Sequence, residues 1–512
     1  MNGAESLVHT LLASGVDTCF ANPGTSEMHF VSALDRIPGM RCVLGLQENI
    51  VTGAADAFWR IAGRPAATLL HCGPGLANGI ANLHNARRAH SGIVNIVGDQ
   101  ATEHRPLDAP LTSDTEGLAR FACNWVRTTA SAQHVGRDAA AAVQAARTWP
   151  GQIATLVLPA DAAWNDGGEP SDALPVPPPP QAAPRAVDNA ARALRSGEPA
   201  LLLLGGRSLT AEALAAAHRI AAATGARMLT ETHIGLIERG RGRVPIDRLL
   251  YRIDPAKTSL ADIRHLILVN TGYPVSFFAY PGKSGRLAPP ACQVHELARA
   301  DQDGPAALRA LVEALHAPEA PLPEVAPPAG PARGPLTREG VARTVAALLP
   351  ENAIVMDEGS LFGGVLYPAS YGAAPHSWMQ QTGGAIGAGI PMAVGAALAA
   401  PDRRVISMQA DGSGMYTLQG LWTQARENLD VTTIVLSNRK YAILIDELAN
   451  VGAKSGKTAQ DMFSLADPEL DWPAMAKGMG VEARRAESCE ELADLLRASV
   501  RRSGPFLIEL PV

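Results

Sequence analysis

Six short aliphatic runs decide most of what this chain can become: "AATLLH", "GIVNIVGD", "ALLLLGG", "HLILVN", "RVISMQAD" and "VTTIVLSN". Each has the length of a strand and is apolar almost throughout, and Ala-rich stretches with helical spacing separate them. A strand apolar on both faces has to be covered on both, and two parallel strands need a crossover, which a helix supplies. The expected fold class is therefore α/β, built of doubly wound parallel sheets. Two proline-rich breaks, "EPSDALPVPPPPQAAPR" over 169–185 and "APEAPLPEVAPPAGPARGP" over 317–335, have the composition of stiff connectors. They divide the 512 residues into three segments, in line with a usual domain size of roughly 150 residues. The expected units are 1–165, 186–316 and 336–512.

Charged residues make up 18% of the chain and the formal charge is −6, without a Lys or Arg run long enough to track a phosphate backbone. This composition points away from nucleic acid and toward small-molecule substrates. Cys19, Cys42, Cys72, Cys123, Cys292 and Cys489 are scattered without metal-finger or CxxC spacing, as reduced thiols of a cytoplasmic protein would be. At the N-terminus, Leu7, Leu11, Leu12 and Val16 recur at helical spacing where a leader would carry a basic start and an apolar core, so the segment is expected to belong to the fold. Gly383 to Ala400 is uncharged for 18 residues, but its glycines and Pro391 predict a turn followed by a buried helix, not a membrane span.

Ligands of doubly wound sheets sit beyond the carboxyl ends of the strands. "VISMQADGSG" is a strand running into a glycine-rich turn that carries Asp411, and a helical stretch over 418–427 leads to the strand Val431–Ser437 and then Asn438. Neighbouring strand ends would bring a carboxylate and an amide oxygen together, a donor set for a hard cation such as Mg²⁺ that also takes phosphate oxygens. Gly412 and Ser413 leave backbone N–H groups free for an anion at the following helix start. The GxxxxGK[ST] loop of nucleotide triphosphatases does not occur in the chain.

Ala410-Asp411-Gly412-Ser413 followed by Ser437-Asn438 resembles the GDG…N signature of the thiamine diphosphate (ThDP) enzymes that include pyruvate decarboxylase, acetolactate synthase and benzoylformate decarboxylase. Ala410 and Ser437 depart from that pattern, both toward other small residues. The resemblance implies an N-terminal pyrimidine-binding domain, a middle Rossmann-like domain and a C-terminal diphosphate-binding domain. It also implies ThDP and Mg²⁺ as cofactors. Asp411, Asn438 and the carbonyl of Lys440 would hold the metal. Ser360, Gly412, Ser413, Tyr416 and Tyr441 would lie at the diphosphate. Gly384 would accept from the 4′-amino group and Ile386 would prop the cofactor into its bent form.

The same resemblance runs through the N-terminal segment. Glu48 in "LQENIVTGAADAFWR" matches the glutamate that activates the aminopyrimidine. "CFANPGTSEMHF" places Thr25 where benzoylformate decarboxylase has an active-site serine, and "LLHCGPGLANG" places His71 where it has a catalytic histidine. Acetolactate synthases usually carry serine at that histidine, a longer FAD-holding middle domain, and a Trp whose match here falls on Glu447. FAD is accordingly not expected. Phe278 in "VSFFAYPG" stands in for the second histidine of benzoylformate decarboxylase and makes the pocket more apolar, with Ile443 and Leu444 on the substrate side. His104 and Glu447 are weaker candidates.

The activity implied is ThDP- and Mg²⁺-dependent decarboxylation of a 2-oxo acid with carboligase capacity, by a homodimer or homotetramer whose sites lie between chains. The alternatives are an acetolactate synthase-type carboligase, a lyase acting on other substrates, a non-catalytic ThDP-binding protein, and an oxidoreductase using Gly205-Gly206. That last motif lacks the full GxGxxG spacing and reads as a structural remnant.

Overall fold

The computed structural model describes residues 1–512, apart from the side chain of Leu361. Strands β1 (Thr18–Asn22), β2 (Arg41–Leu44), β3 (Ala66–Leu70), β4 (Ile93–Asp99), β5 (Trp125–Thr128) and β6 (Ile153–Pro159) form an all-parallel sheet in the order β2-β1-β3-β4-β6-β5. The next segment contributes β7 (Ala200–Leu204), β8 (Arg227–Thr230), β9 (Ile237–Arg239), β10 (Asp247–Arg248), β11 (His265–Val269) and β12 (Gln293–Ala298). Five of these make a second parallel sheet in the order β10-β8-β7-β11-β12.

The third sheet holds β13 (Ile354–Glu358), β14 (His376–Gln380), β15 (Val405–Ala410), β16 (Val431–Ser437), β17 (Glu482–Arg485) and β18 (Phe506–Pro511), in the order β17-β18-β16-β15-β13-β14-β9. Its odd member is β9, which arrives from the middle segment and pairs antiparallel along β14, Ile237 opposite Trp378. The proline-rich breaks do not mark this crossover. It covers an edge that would otherwise present unpaired backbone, and it buries Arg239, whose guanidinium lies 3.4 Å from the centre of the Tyr367 ring. Residues 170–183 and 317–333 carry neither helix nor strand.

Helices cover both faces of the first sheet, as alternation along its strands requires. Leu70, Ile93 and Val97 face one apolar cluster while Leu69, Val94 and Ile96 face another. The first of these clusters is shared with the third sheet, through Ile354, Met356 and Val405. Between them lie the helices Glu48–Ala62 and Gly389–Ala399, which approach closely enough that a Cβ on Gly395 would stand 1.9 Å from the Ala54 carbonyl oxygen. The opposite face of the third sheet shares its core with the middle sheet, Val355, Ile406 and Ile434 clustering with Leu202, Leu204 and Ile267. The third sheet is therefore the centre of the molecule.

The uncharged stretch expected to be a turn and buried helix is one: residues 389–398 are all buried. No helix among the described residues is long and apolar enough to cross a membrane.

Candidate active site

Strands β15 and β16 are hydrogen-bonded neighbours with Ala410 opposite Leu436, so the residues just past their ends, Asp411 after Ala410 and Asn438 after Ser437, emerge at one edge of the third sheet. Asp411 is buried; its Oδ2 accepts the Arg439 N–H at 2.7 Å and its Oδ1 the Gly412 N–H at 2.8 Å. Burial pushes its carboxyl above the ordinary aspartate range, against the pull of those backbone bonds. Among the described residues no Lys or Arg side chain pairs with it, so the site holds a buried negative charge that a cation would neutralise. Asn438 Oδ1 accepts the Lys440 N–H at 3.1 Å, which turns the chain back beside the carboxylate. The donors are all oxygen, the set that suits Mg²⁺.

The turn after β15 is shaped by close approach. A Cβ on Gly412 would lie 2.4 Å from the Tyr441 ring, and one on Gly387, at φ 90°, would lie 2.6 Å from the Tyr416 Cβ. Ser413 Oγ accepts from Gln409 Nε2 at 2.6 Å, and the same amide nitrogen donates to Glu358 at 3.0 Å. Tyr416 is exposed and Tyr441 half-buried, while Ser360 is exposed in the left-handed region at φ 54° at the end of β13.

Glu358 and Gln409 were not foreseen as a unit. The buried Glu358 carboxylate accepts the N–H groups of Gly387, Ala388 and Gly389 at 2.8, 3.1 and 2.7 Å, closing the start of the helix Gly389–Ala399. Burial raises its carboxyl above the usual range, opposed by the hydrogen bond from Gln409 and by these three from the backbone. The preceding loop is held from the other side by the N-terminal domain: Asn85 Nδ2 donates to the Ala385 carbonyl at 2.8 Å and Asn82 Nδ2 to that of Gly387 at 3.3 Å. Gly384, at φ 80°, and the half-buried Ile386 thus sit on a loop pinned by two domains. Replacing Glu358 with Ala strips the acceptor from three buried N–H groups at once. It is expected to cost about 3 kcal/mol of stability, read as a lowered denaturation midpoint.

Glu48 is the first residue of the helix Glu48–Ala62, capped by Gln47, whose side-chain oxygen accepts the Asn49 N–H at 2.7 Å. It is buried, with Oε2 accepting from Asn78 Nδ2 at 3.1 Å. The helix Cys72–Arg88 packs against it so tightly that a Cβ on Gly79 would lie 2.9 Å from the Thr52 methyl. Among the described residues no hydrogen bond joins Glu48 to the Asp411 and Asn438 pair of its own chain.

His71 follows β3 and caps the helix Cys72–Arg88. Its Nδ1 lies 2.9 Å from the Glu27 carboxylate and 3.1 Å from Ser26 Oγ. Gly24 covers the ring: a Cβ there would stand 2.2 Å from it. Thr25 is exposed, and the hydroxyl that reaches His71 is that of its neighbour Ser26. The short 3₁₀ turn Thr25–Glu27 directs Glu27 inward, where it is 2% exposed. Sequence reading gave no role to Ser26, Glu27 or Cys72, although Ser26 adjoins Thr25 and Cys72 adjoins His71.

The middle domain closes the far side. The ring of Phe277, rather than that of Phe278, abuts Gly384, where a Cβ would lie 2.4 Å from Cζ. Phe278 is exposed and stacks edge-on against Phe277 at 4.8 Å between centroids. Ile443 is half-buried and Leu444 exposed on the helix Ala442–Asn450. The same helix carries Glu447, which accepts the Tyr280 hydroxyl at 2.9 Å and so ties it to the middle domain. His104 is exposed. The Gly205 turn at the end of β7 is filled by its own chain, with Glu231 Oε2 2.9 Å from a Cβ placed there.

The arrangement of a glycine-rich oxygen clamp and a remote helix-start glutamate is matched in known proteins. Residues 1–118 match the thiamine pyrophosphate enzyme N-terminal TPP binding domain, and residues 366–510 match the C-terminal TPP binding domain of the same enzymes. The chain belongs to the thiamine pyrophosphate enzyme family. It is an enzyme of the carbon–carbon lyase or transferase type found in that family.

Among the relatives of this family member, a Mycobacterium tuberculosis protein named "Putative acetolactate synthase large subunit IlvX" is 52% identical, over 100% of this chain and 99% of the relative. A benzoylformate decarboxylase of Pseudomonas aeruginosa is 32% identical over 97% and 96%. The fold matches the thiamine diphosphate-dependent 4-hydroxybenzoylformate decarboxylase of Rhodococcus jostii with a TM-score of 0.86 at 23% identity, covering 100% of this chain and 99% of that one.

Proposed function

We propose that this chain is a ThDP- and Mg²⁺-dependent 2-oxo-acid decarboxylase with carboligase capacity, related in mode of action to benzoylformate decarboxylase. The observation that carries this reading is His71, poised at a strand end on the Glu27 carboxylate at 2.9 Å, in a chain whose glycine clamp fits a metal-bound diphosphate. Asp411, Asn438 and the Lys440 carbonyl would hold Mg²⁺, and Ser360, Gly412, Ser413, Tyr416 and Tyr441 would surround the diphosphate. Gly384 and Ile386 would orient the aminopyrimidine. Thiamine diphosphate bound there supplies the electron sink that loss of CO₂ from a 2-oxo acid requires.

The chain's own residues do the rest. Glu48, supplied by a second copy, holds a proton at the aminopyrimidine, so the working unit is a dimer or a dimer of dimers in the cytoplasm. The Glu27 carboxylate, 2.9 Å from Nδ1, orients the His71 ring so that Nε2 would deliver or remove a proton at the reacting carbon. Thr25, exposed beside Ser26, would face the substrate. Phe277 at Gly384, with Phe278 stacked on it, and Ile443 and Leu444 would line the substrate side with apolar groups.

A second reading has its own support: the 52% identical relative bears an acetolactate synthase name, so joining two 2-oxo acids is the alternative outcome. One experiment separates them. CO₂ release and 2-hydroxy-ketone formation are measured from pyruvate, longer aliphatic 2-oxo acids and benzoylformate with ThDP and Mg²⁺. Aldehyde with CO₂ in equal amounts supports the decarboxylase; one acetolactate-type product for each CO₂ supports the carboligase. Silence with every acid, while ThDP still binds, overturns both.

A further inference from the structure

Beside the proton-handling pair stands a third ligating group that the reaction does not use. Cys72, 1% exposed, directs its Sγ to within 3.8 Å of His71 Nδ1 and 3.2 Å of Ser26 Oγ. One atom each from Glu27, His71 and Cys72 lies within 4.8 Å of the others. We infer that Glu27, His71 and Cys72 form a binding site for a soft divalent cation, Zn²⁺ in particular, and that its occupation switches the enzyme off.

Geometry comes first. Tetrahedral Zn²⁺ with bonds of about 2.0–2.1 Å to nitrogen and oxygen and about 2.3 Å to sulfur holds its ligands roughly 3.3 Å apart (N to O) and roughly 3.6 Å apart (S to N). Here Nδ1 stands 2.9 and 3.2 Å from the two Glu27 oxygens and 3.8 Å from the thiol sulfur, within a few tenths of an ångström of those separations, and the Glu27 oxygen and Cys72 sulfur lie within 4.8 Å of each other. Ser26 Oγ, or a water in its place, completes the fourth position.

Charge and chemistry point the same way. Among the described residues Glu27 has no Lys or Arg partner; its bonds come from Ser26, His71 and the Gly24 N–H at 2.7 Å. One carboxylate and one thiolate around a dication leave the buried cluster neutral. A mixed imidazole, thiolate and carboxylate set selects Zn²⁺ over Mg²⁺, which prefers the all-oxygen clamp at Asp411. Binding exchanges the thiol proton for the metal: the S–H bond breaks, an S–Zn bond forms, and the proton leaves to solvent. The predicted loss of activity rests on the assignment of His71 as the acid/base group, because the metal takes Nδ1 and separates it from Glu27.

The test uses the holoenzyme with ThDP and Mg²⁺ saturating, and Co²⁺ as a coloured stand-in for Zn²⁺. The expected result is one Co²⁺ per chain with a thiolate charge-transfer band and intense tetrahedral visible bands, both bleached by Zn²⁺. Cys72→Ser is expected to lose the charge-transfer band and weaken Zn²⁺ binding at least about 100-fold, with Glu27→Gln weakening it about 10- to 100-fold while keeping the band. The Asp411 clamp contains no sulfur, so it cannot mimic the signal. Absence of the band in the unaltered enzyme, or its persistence in Cys72→Ser, overturns the site. Full turnover with the band fully developed overturns the switch alone. A Cys72-dependent band in a protein that decarboxylates no 2-oxo acid upholds the metal site and removes the catalytic reading.

Discussion

Replacing Glu48 with Gln is expected to lower kcat about 10²- to 10⁴-fold while leaving ThDP bound. Glutamine keeps the volume of the side chain and the hydrogen bond that Asn78 donates at 3.1 Å, so the helix Glu48–Ala62 has no reason to shift. What it cannot do is hold an ionisable proton against a ring nitrogen. The residues assigned to the diphosphate all lie in the C-terminal segment, well apart in sequence from Glu48, so cofactor affinity should change little. Single-turnover rates together with ThDP titration of the variant separate the two effects. Unchanged kcat would remove Glu48 from the mechanism.

Replacing Asp411 with Asn is expected to weaken joint binding of Mg²⁺ and ThDP by more than about 100-fold, since loss of a group merely supporting a metal ligand costs 10- to 100-fold. Activity should fall with it and recover in part at high Mg²⁺. The cofactor-free protein should move the opposite way. Its 2% exposed carboxylate has only backbone N–H partners, and a buried charge without a counter-ion costs stability. The Asn variant without cofactor is therefore expected to melt no lower than the parent, whereas with Mg²⁺ and ThDP the parent gains stability and the variant does not. Equal stabilisation of both by the cofactors would place the metal elsewhere.

These two residues illustrate how unevenly the chain declares itself. Asp411 and Asn438 could be paired from sequence because each ends a hydrophobic run, and strand ends in a parallel sheet share one edge. The register of Ala410 with Leu436 is what that reasoning needs. Thr25 was named for its place in a motif, yet the hydroxyl touching His71 belongs to Ser26, because a 3₁₀ turn shifts which side chain points inward and one residue decides it. In the same manner, the ring that abuts Gly384 is that of Phe277, the neighbour of Phe278.

Local pattern alone determined the α/β class, the three sheets and the neighbouring strand ends that carry Asp411 and Asn438, since strand length, apolar runs and the residues that end them are all written within a few positions. Only the tertiary structure decided that β9 leaves the middle segment to close the third sheet, that Glu358 anchors the loop before the helix Gly389–Ala399, and that Glu27 and Cys72 meet at His71. The physical reason is reach. Periodicity reports what a residue does within its own element, whereas a hydrogen bond across 29 to 44 positions, or an edge filled from another domain, depends on how separate elements come to rest against each other.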